Sequence, residues 1–493
     1  MTRQPISAVF ADRARTAPED VIVVDRTGPA TAAEIDTRAT RVARLLLDRG
    51  VRRDDRVIVS LPNEIGFVVA CVAIWRVGAT PMPMSPELPD DERAQIEDIA
   101  RPTAAFGRRP ARAEIAWVDE DHAGALSDDR LPDTWAHSWK APTSSGSTGR
   151  PKVIASTAPA LVDPDAAVAS FVPQHAIQLV SSPLWHSTAF TYAFRGLTAG
   201  HRIVLEPSFD ERAFLAAVER HRVTWAVLSP PSVRRLLRLP ESARAERDLS
   251  SLQSILHLGG RCPAPDKYAL LDWLGPGRVV EVYAGSESNG LTMVTGGDWL
   301  SRPGTVGRPV GGTEISIRHT DATPAQTGDI GTIWMRRGMS SAYTYLGAPS
   351  RRTDDGWDTL GDIGYLDDDG YLFVIDRAAD VIRCGDATVY PADVEQAFEE
   401  HPMVRGAVAV GEPGPHGVHG LTVVVDVADA EVTAAALHAF ARRRLPEVAR
   451  PQRICLTHRP IRNDAGKIRR RALAGCSRYG TEHTLLRANG ASA

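Results

Sequence analysis

Ile177-Gln178-Leu179-Val180, a helix-length segment, and then Ile203-Val204-Leu205 is the passage from which the architecture can be read. The spacing returns at Trp225 to Leu228, Ile255 to Leu258 and Val279 to Tyr283, with most of these runs separated by enough residues for a helix. Short apolar strands alternating with helices predict a mostly parallel sheet covered on both faces, an α/β fold. Binding sites in such folds collect at the carboxyl ends of the strands.

Upstream, Ile35, Ala39, Val42 and Leu46 share one face of a helix predicted over 31–49, opened by a Thr31-x-x-Glu34 capping box and closed by Gly50. Val57-Ile58-Val59 and a helical stretch over 64–76 extend the alternation toward the N-terminus. After about residue 300 the pattern becomes turn-rich β, as in Gly328 to Trp334 and a hairpin around Asp367-Asp368-Asp369-Gly370. Beyond Arg377 the order is helix (391–400), strand (404–410), strand (421–427), helix (431–444) and strand (453–456), a small α+β lid. Residues 474–493 have few apolar anchors, and a mobile tail is expected there.

The chain has 493 residues, 43% hydrophobic and 24% charged, a globular composition that excludes disordered, collagen-like and disulfide-scaffold classes. A net charge of −4 offers no basic field for nucleic acid. The apolar run Ile65 to Trp75 is far shorter than the roughly 20 residues a membrane helix needs. The N-terminus lacks the basic start and apolar segment of a secretory signal, so a cytoplasmic location is expected. Nothing in the sequence fixes the oligomeric state. Five scattered cysteines without a C-x-x-C pair fit neither a disulfide framework nor a structural zinc site, and are expected to be reduced. Of 57 basic residues only Lys140, Lys152, Lys267 and Lys467 are lysine. In a chain so biased, a retained lysine marks a place for a compact, flexible point charge.

Chemistry concentrates in Thr143-Ser144-Ser145-Gly146-Ser147-Thr148-Gly149-Arg150-Pro151-Lys152. A loop rich in hydroxyls and glycine can turn N–H and O–H donors onto phosphate oxygens, with Lys152 adding positive charge. A flexible Ser/Gly linker is the blander reading, opposed by the apolar flanks Trp139, Val153 and Ile154. The spacing is not that of a Walker A loop, and no G-x-G-x-x-G follows a strand. Tyr283-Ala284-Gly285-Ser286-Glu287, directly after a predicted strand, offers a ring for a base and a hard oxygen ligand for Mg²⁺. Asp362 could take a ribose diol with Arg377 nearby, and Asn463-Asp464-Ala465-Gly466-Lys467 exposes a lysine on a lid turn; taken singly, each is as readily a surface group.

In order and spacing these segments resemble the acyl-adenylate-forming superfamily, which includes acyl-CoA and aryl-CoA ligases, adenylation domains of peptide synthetases, and luciferases. The resemblance covers nearly the whole chain. It implies an N-terminal adenylation domain over 1–376, with mostly parallel helix-flanked sheets and a β subdomain, and a mobile lid over 377–493. It further implies an ATP-dependent, AMP-forming reaction in which a carboxylic acid becomes an acyl adenylate and is then passed to an acceptor. By this resemblance Ser144, Ser145, Gly146, Ser147, Thr148, Gly149 and Lys152 hold the ATP phosphates, and Glu287 holds Mg²⁺. Tyr283 stacks on adenine, Gly260 borders the nucleotide, Ser286 touches the α-phosphate, Asp362 takes the ribose and Arg377 braces it. Lys467 bridges the substrate carboxylate and α-phosphate as the catalytic cation. His186 stands beside the reacting carboxylate, and Trp185, Phe190, Gly259 and Gly285 line the acid.

Around Pro183-Leu184-Trp185-His186-Ser187, where amino-acid-activating relatives carry an aspartate, Trp185, His186, Thr188, Phe190 and Tyr192 form an aromatic, largely uncharged wall. A non-amino acid, aromatic or bulky and apolar, is implied. Arg261 stands where the family has a small residue, and Val153, Leu360 and Ala379 depart from its common pattern. Asp386 replaces the second of the paired glycines with which CoA-using relatives line their pantetheine tunnel. That makes CoA a doubtful cosubstrate and tilts the acceptor toward an amine over a CoA or carrier-protein thiol. A non-catalytic nucleotide-binding protein on the same fold is the reading from another class, against which the retained Lys467, Glu287 and Asp362 argue.

Overall fold

The computed structural model describes residues 3–144, 151–384, 387–413, 419–428, 431–462, 468, 470–473 and 483–485. Contacts divide the chain into two compact units, Met1–Glu314 with Met335–Asp358 and Ile315–Trp334 with Thr359–Ala493. This division leaves the expected boundary at 376/377 inside the second unit. There the Asp376 carboxylate accepts a hydrogen bond from Ala392 N at 2.8 Å, tying strand Leu372–Arg377 to helix Pro391–Glu399.

The first unit is built on a nine-stranded sheet. Its six central strands, Val279–Ala284, Ser254–His257, Trp225–Leu228, Ile177–Val180, Arg202–Leu205 and Val21–Asp25, run parallel in that order. Antiparallel strands close its edges. One face buries Leu179, Ala226, Leu228, Ile255 and Val279 beneath helices that include Glu211–His221 and Ala264–Leu274. The other carries Trp225, Val227, Leu256, Leu258, Val280 and Val282, against which Phe171 and Tyr192 pack. Each strand therefore buries alternate residues on opposite sides, as a doubly covered sheet requires.

A second parallel sheet orders Thr80–Pro83, Arg56–Ser60, Ala104–Gly107 and Ala116–Val118. Helix Ala32–Asp48 begins with the anticipated capping box, in which Thr31 Oγ1 accepts from Glu34 N at 3.2 Å and the Glu34 carboxylate accepts from Thr31 N at 2.8 Å. The apolar run at 65–75 is a buried core helix, Ile65–Arg76. No described helix is long and apolar enough to cross a membrane.

The second unit carries a four-stranded sheet in the order Glu314–Arg318, Gly331–Arg336, Asp362–Leu366, Leu372–Arg377, the last three strands being antiparallel. The anticipated hairpin joins its last two strands. Asp367 Oδ1 accepts from Asp369 N at 3.1 Å and Tyr371 N at 2.8 Å, and Gly370 takes the φ of +76° that the turn demands. The C-terminal sheet orders Val404–Pro413, His419–Val427, Arg453–Thr457 and His483–Leu485. The last strand lies within the segment expected to be a mobile tail and pairs antiparallel with Arg453–Cys455. Cys71, Cys262 and Cys384 are free thiols, whereas Cys455 is disulfide-bonded, which corrects the expectation that every cysteine is reduced.

Candidate active site

Strand Lys152–Ser156 is the middle of a three-stranded antiparallel sheet, between Thr143–Ser144 and Tyr343–Leu346. Buried Val153 and Ile154 anchor it, and its ladder sets Lys152 opposite Ser144 and Ile154 opposite Tyr345. Both stems of the sequence-predicted phosphate loop thus belong to one ladder. Ser145, Gly146, Ser147, Thr148 and Gly149 lie outside the described residues.

Glu287 sits in the turn after strand Val279–Ala284, where Ser288, at φ 55°, donates its N–H to Gly285 O at 3.1 Å. Lys152 Nζ donates to Glu287 Oε1 at 3.1 Å, and Tyr345 Oη donates to the same oxygen at 2.6 Å. The ammonium also stands 3.7 Å from the Tyr345 ring centroid. Burial alone would raise the Glu287 pKa, but the Lys152 charge and the two hydrogen bonds outweigh it and hold the carboxylate below its usual range. Burial, and then the Glu287 charge, push the Tyr345 phenol up. The result is a nearly buried, ionised carboxylate facing a lysine, a pair able to exchange partners with a divalent cation and a polyphosphate. Tyr345 has no signal in the sequence, because only the fold brings it to Lys152.

Neighbouring parallel strands bring the other motifs to the same edge. Gly259 and Gly260 follow strand Ser254–His257, and Tyr283 lies near the end of its partner Val279–Ala284. A Cβ added to either glycine would meet open space, and Gly259 holds a φ of +96°. Tyr283, Gly285 and Ser286 are each partly exposed. Trp185 and His186 follow strand Ile177–Val180, their ring centroids 3.9 Å apart, and His186 is the N-cap of helix Ser187–Thr198. Phe190 corrects the sequence reading. It is fully buried in an aromatic core with Phe67, Trp75, Trp139 and Phe194, on a side of its helix turned away from Tyr192, which packs on Phe171 and Trp225.

Each described lysine has a specific, enclosed setting. Lys267 is fully buried, donates to Glu281 Oε2 at 3.1 Å and pairs with His257 Nε2 beneath the Gly259–Gly260 turn. Burial, and then the Lys267 charge, hold the His257 pKa far down, so the ring is a neutral acceptor. Lys140, 5% exposed, donates to Ser187 Oγ at 2.8 Å and Thr191 Oγ1 at 2.6 Å. Burial, and then the Arg195 charge, pull its pKa from 10.5 to about 7. Lysine scarcity was the sequence signal for Lys140, whose position against the helix that follows His186 was not legible.

In the second unit Arg377 Nε lies 3.2 Å from Asp362 Oδ1, the two residues being directly paired across adjacent strands. Asp362 is 6% exposed. Lys467, like Gly385 and Asp386, lies outside the described residues.

The model of the AMP-binding enzyme family matches residues 10–346, and that of the AMP-binding enzyme C-terminal domain matches 393–467. A feruloyl-CoA synthase of Amycolatopsis sp is 29% identical over 499 residues, covering 95% of this chain and 98% of its own. A 2-succinylbenzoate–CoA ligase of Bacillus licheniformis is 29% identical over 488 residues, with 94% and 98% covered. Among solved structures, o-succinylbenzoate CoA synthetase of Bacillus subtilis with its acyl-adenylate intermediate aligns with a TM-score of 0.81 at 23% identity, covering 97% of this chain and 100% of its own. The amide bond synthetase McbA of Marinactinospora thermotolerans aligns at 0.77 and 24%, with 95% and 99% covered. At these identities the structural likenesses establish the fold.

Proposed function

The chain belongs to the AMP-binding enzyme family and is an AMP-forming ligase of the acyl- and aryl-CoA ligase type; from that premise we propose that it activates a non-amino carboxylic acid, aromatic or bulky and apolar, as its acyl adenylate and passes the acyl group to an amine. The observation that carries the activation step is the Lys152–Glu287 pair, enclosed at the stem of the phosphate loop.

An oxygen of the acid attacks the α-phosphorus of ATP, the bond from that phosphorus to the bridging oxygen breaks, and pyrophosphate leaves with the electron pair. Lys152 steadies the phosphates, Ser286 donates to the α-phosphate, Tyr283 stacks on adenine, and Asp362 and Arg377 hold the ribose. Lys467 offsets the charge that builds between carboxylate and phosphate. Among the described residues no cluster of three or more His, Cys, Asp or Glu could hold a metal. Glu287 fits Mg²⁺ of the kind bound by one carboxylate together with nucleotide phosphates. The ion would neutralise phosphate charge when bound. His186 and Trp185 position the acid, Gly259 and Gly285 line it, and Gly260 borders the nucleotide. In the second step an amine nitrogen attacks the acyl carbon, the carbon–oxygen bond to AMP breaks, and the nitrogen loses a proton as the amide forms.

The preference for an amine rests on Asp386, whose side chain and charge oppose a pantetheine arm. The CoA ligase names of the relatives favour a second reading, transfer to the thiol of CoA. Pyrophosphate release with ATP and a panel of acids tests activation, and product analysis with CoA and simple amines in parallel tests the acceptor. Thioester without amide would overturn the amine reading.

A further inference from the structure

The ladder that sets Ser144 opposite Lys152 continues upstream of the phosphate-loop stem. Ile154 N donates to Pro142 O at 2.9 Å and Ser156 N to Lys140 O at 3.0 Å, so strand Lys152–Ser156 fixes the backbone of Lys140 as well. From there Trp139 and Lys140 both reach helix Ser187–Thr198. The Trp139 ring lies 5.7 Å from that of Phe190, while Lys140 Nζ donates to Ser187 Oγ at 2.8 Å and Thr191 Oγ1 at 2.6 Å. Thr191 Oγ1 in turn donates to Ser187 O at 2.6 Å. His186, the N-cap, donates its N–H to Pro183 O at 2.9 Å and accepts from Phe190 N at 3.0 Å. Two successive residues of the phosphate-loop stem therefore grip the first turns of the helix that carries His186.

Of the two grips, that of Lys140 is costly. The ammonium is 5% exposed and sits at the first turn of a helix, where the backbone dipole is already positive. Among the described residues no carboxylate pairs with it, and both of its hydrogen-bond partners are hydroxyls. A methionine would occupy the same space without taking a charge out of water. What methionine cannot do is hold Ser187 and Thr191 at once, for which either the ammonium or the neutral amine has donors enough.

We propose that Lys140 is a positioning residue for acid activation: through Ser187 and Thr191 it holds the His186 turn in register with the phosphate loop. The carboxylate then meets the α-phosphate in the geometry of attack. Lys140 and Ser187 are 47 residues apart in sequence, so chain connectivity alone does not set that register. A misplacement of about 1 Å between reacting groups can cost about a hundredfold in rate. The inference rests on the reading of His186 as the residue beside the reacting carboxylate.

The test measures pyrophosphate release by the full chain with ATP and benzoate, phenylacetate or 4-phenylbutanoate. Lys140→Met should lower kcat by about 10- to 100-fold and leave the KM for ATP unchanged, with resistance to urea at pH 7 no lower than that of the wild type. Thr191→Val, which keeps the shape and removes one acceptor, should cost less. The two changes together should cost no more than Lys140→Met alone, because they break one clamp. An unchanged kcat, a loss carried by the KM for ATP, strictly additive losses, or weaker resistance to urea with kcat intact would each overturn the proposal. Should the wild type release no pyrophosphate with any of these acids, the adenylation reading fails instead. Amide hydrogen exchange over residues 183–191 then decides the clamp by itself: faster exchange in Lys140→Met supports it, and unchanged exchange overturns it.

Discussion

Lys152 Nζ donates to Glu287 Oε1 at 3.1 Å, joining the stem of the phosphate loop to the turn that follows strand Val279–Ala284. Each residue neutralises the other in a setting where Glu287 is 9% exposed. Removing either leaves an enclosed charge unpaired. Glu287→Gln should lower acid-dependent pyrophosphate release by about 10²–10³, the range for one electrostatic stabiliser, and raise the Mg²⁺ concentration needed for half-maximal rate. Glu287→Gln combined with Lys152→Met should cost less than the two single changes added together, because the partners are in contact. A strictly additive cycle in single-turnover rates would show that the pair does not act as a unit.

Lys140 makes stability depend on pH. Its folded pKa of about 7 lies below the ordinary 10.5, so between those values the unfolded chain binds the extra proton and stability rises with pH. Below pH 7 both states are charged and the cost of the buried ammonium is fully present. In urea unfolding from pH 7 to 9.5, the wild type should gain about 3 kcal/mol relative to Lys140→Met. Parallel pH profiles for the two proteins would refute the depressed pKa.

The strands at 177–180 and 225–228 and the helix after Thr31 were legible because their signals are local: alternating apolar runs, a capping box and turn residues. The same holds for the hairpin at Gly370. Lys152 and Glu287 could each be named from their motifs, but their contact could not, since strand Tyr343–Leu346 delivers Tyr345 to them from almost 200 residues beyond Lys152. Phe190 was misread because the stretch after His186 is aromatic on two sides of one helix, and only packing shows that Phe190 faces the core while Tyr192 faces the sheet.

Lys467→Ala tests the catalytic cation assigned from the lid turn. A centred positive charge that stabilises the pentavalent transition state is worth about 10²–10³ in rate. The substitution should reduce pyrophosphate release by that factor while leaving the KM for the acid little changed, because the stabilisation is specific to the transition state. Release at the wild-type rate, measured with saturating ATP, would remove Lys467 from the activation step.

Asp386→Gly tests the acceptor. On the amine reading proposed above, the carboxylate of Asp386 opposes a pantetheine arm in two ways, by volume and by the cost of burying its charge against an apolar chain. Replacing it with glycine removes both. With CoA and an amine offered together at equal concentration, the thioester-to-amide ratio should rise by at least about tenfold, which corresponds to about 1.4 kcal/mol of relative barrier. Asp386→Asn separates the two contributions, since it keeps the volume and removes the charge. A ratio that moves only with glycine assigns the block to size, one that moves with both assigns it to charge, and a ratio unmoved by either would mean that this position does not discriminate between the acceptors.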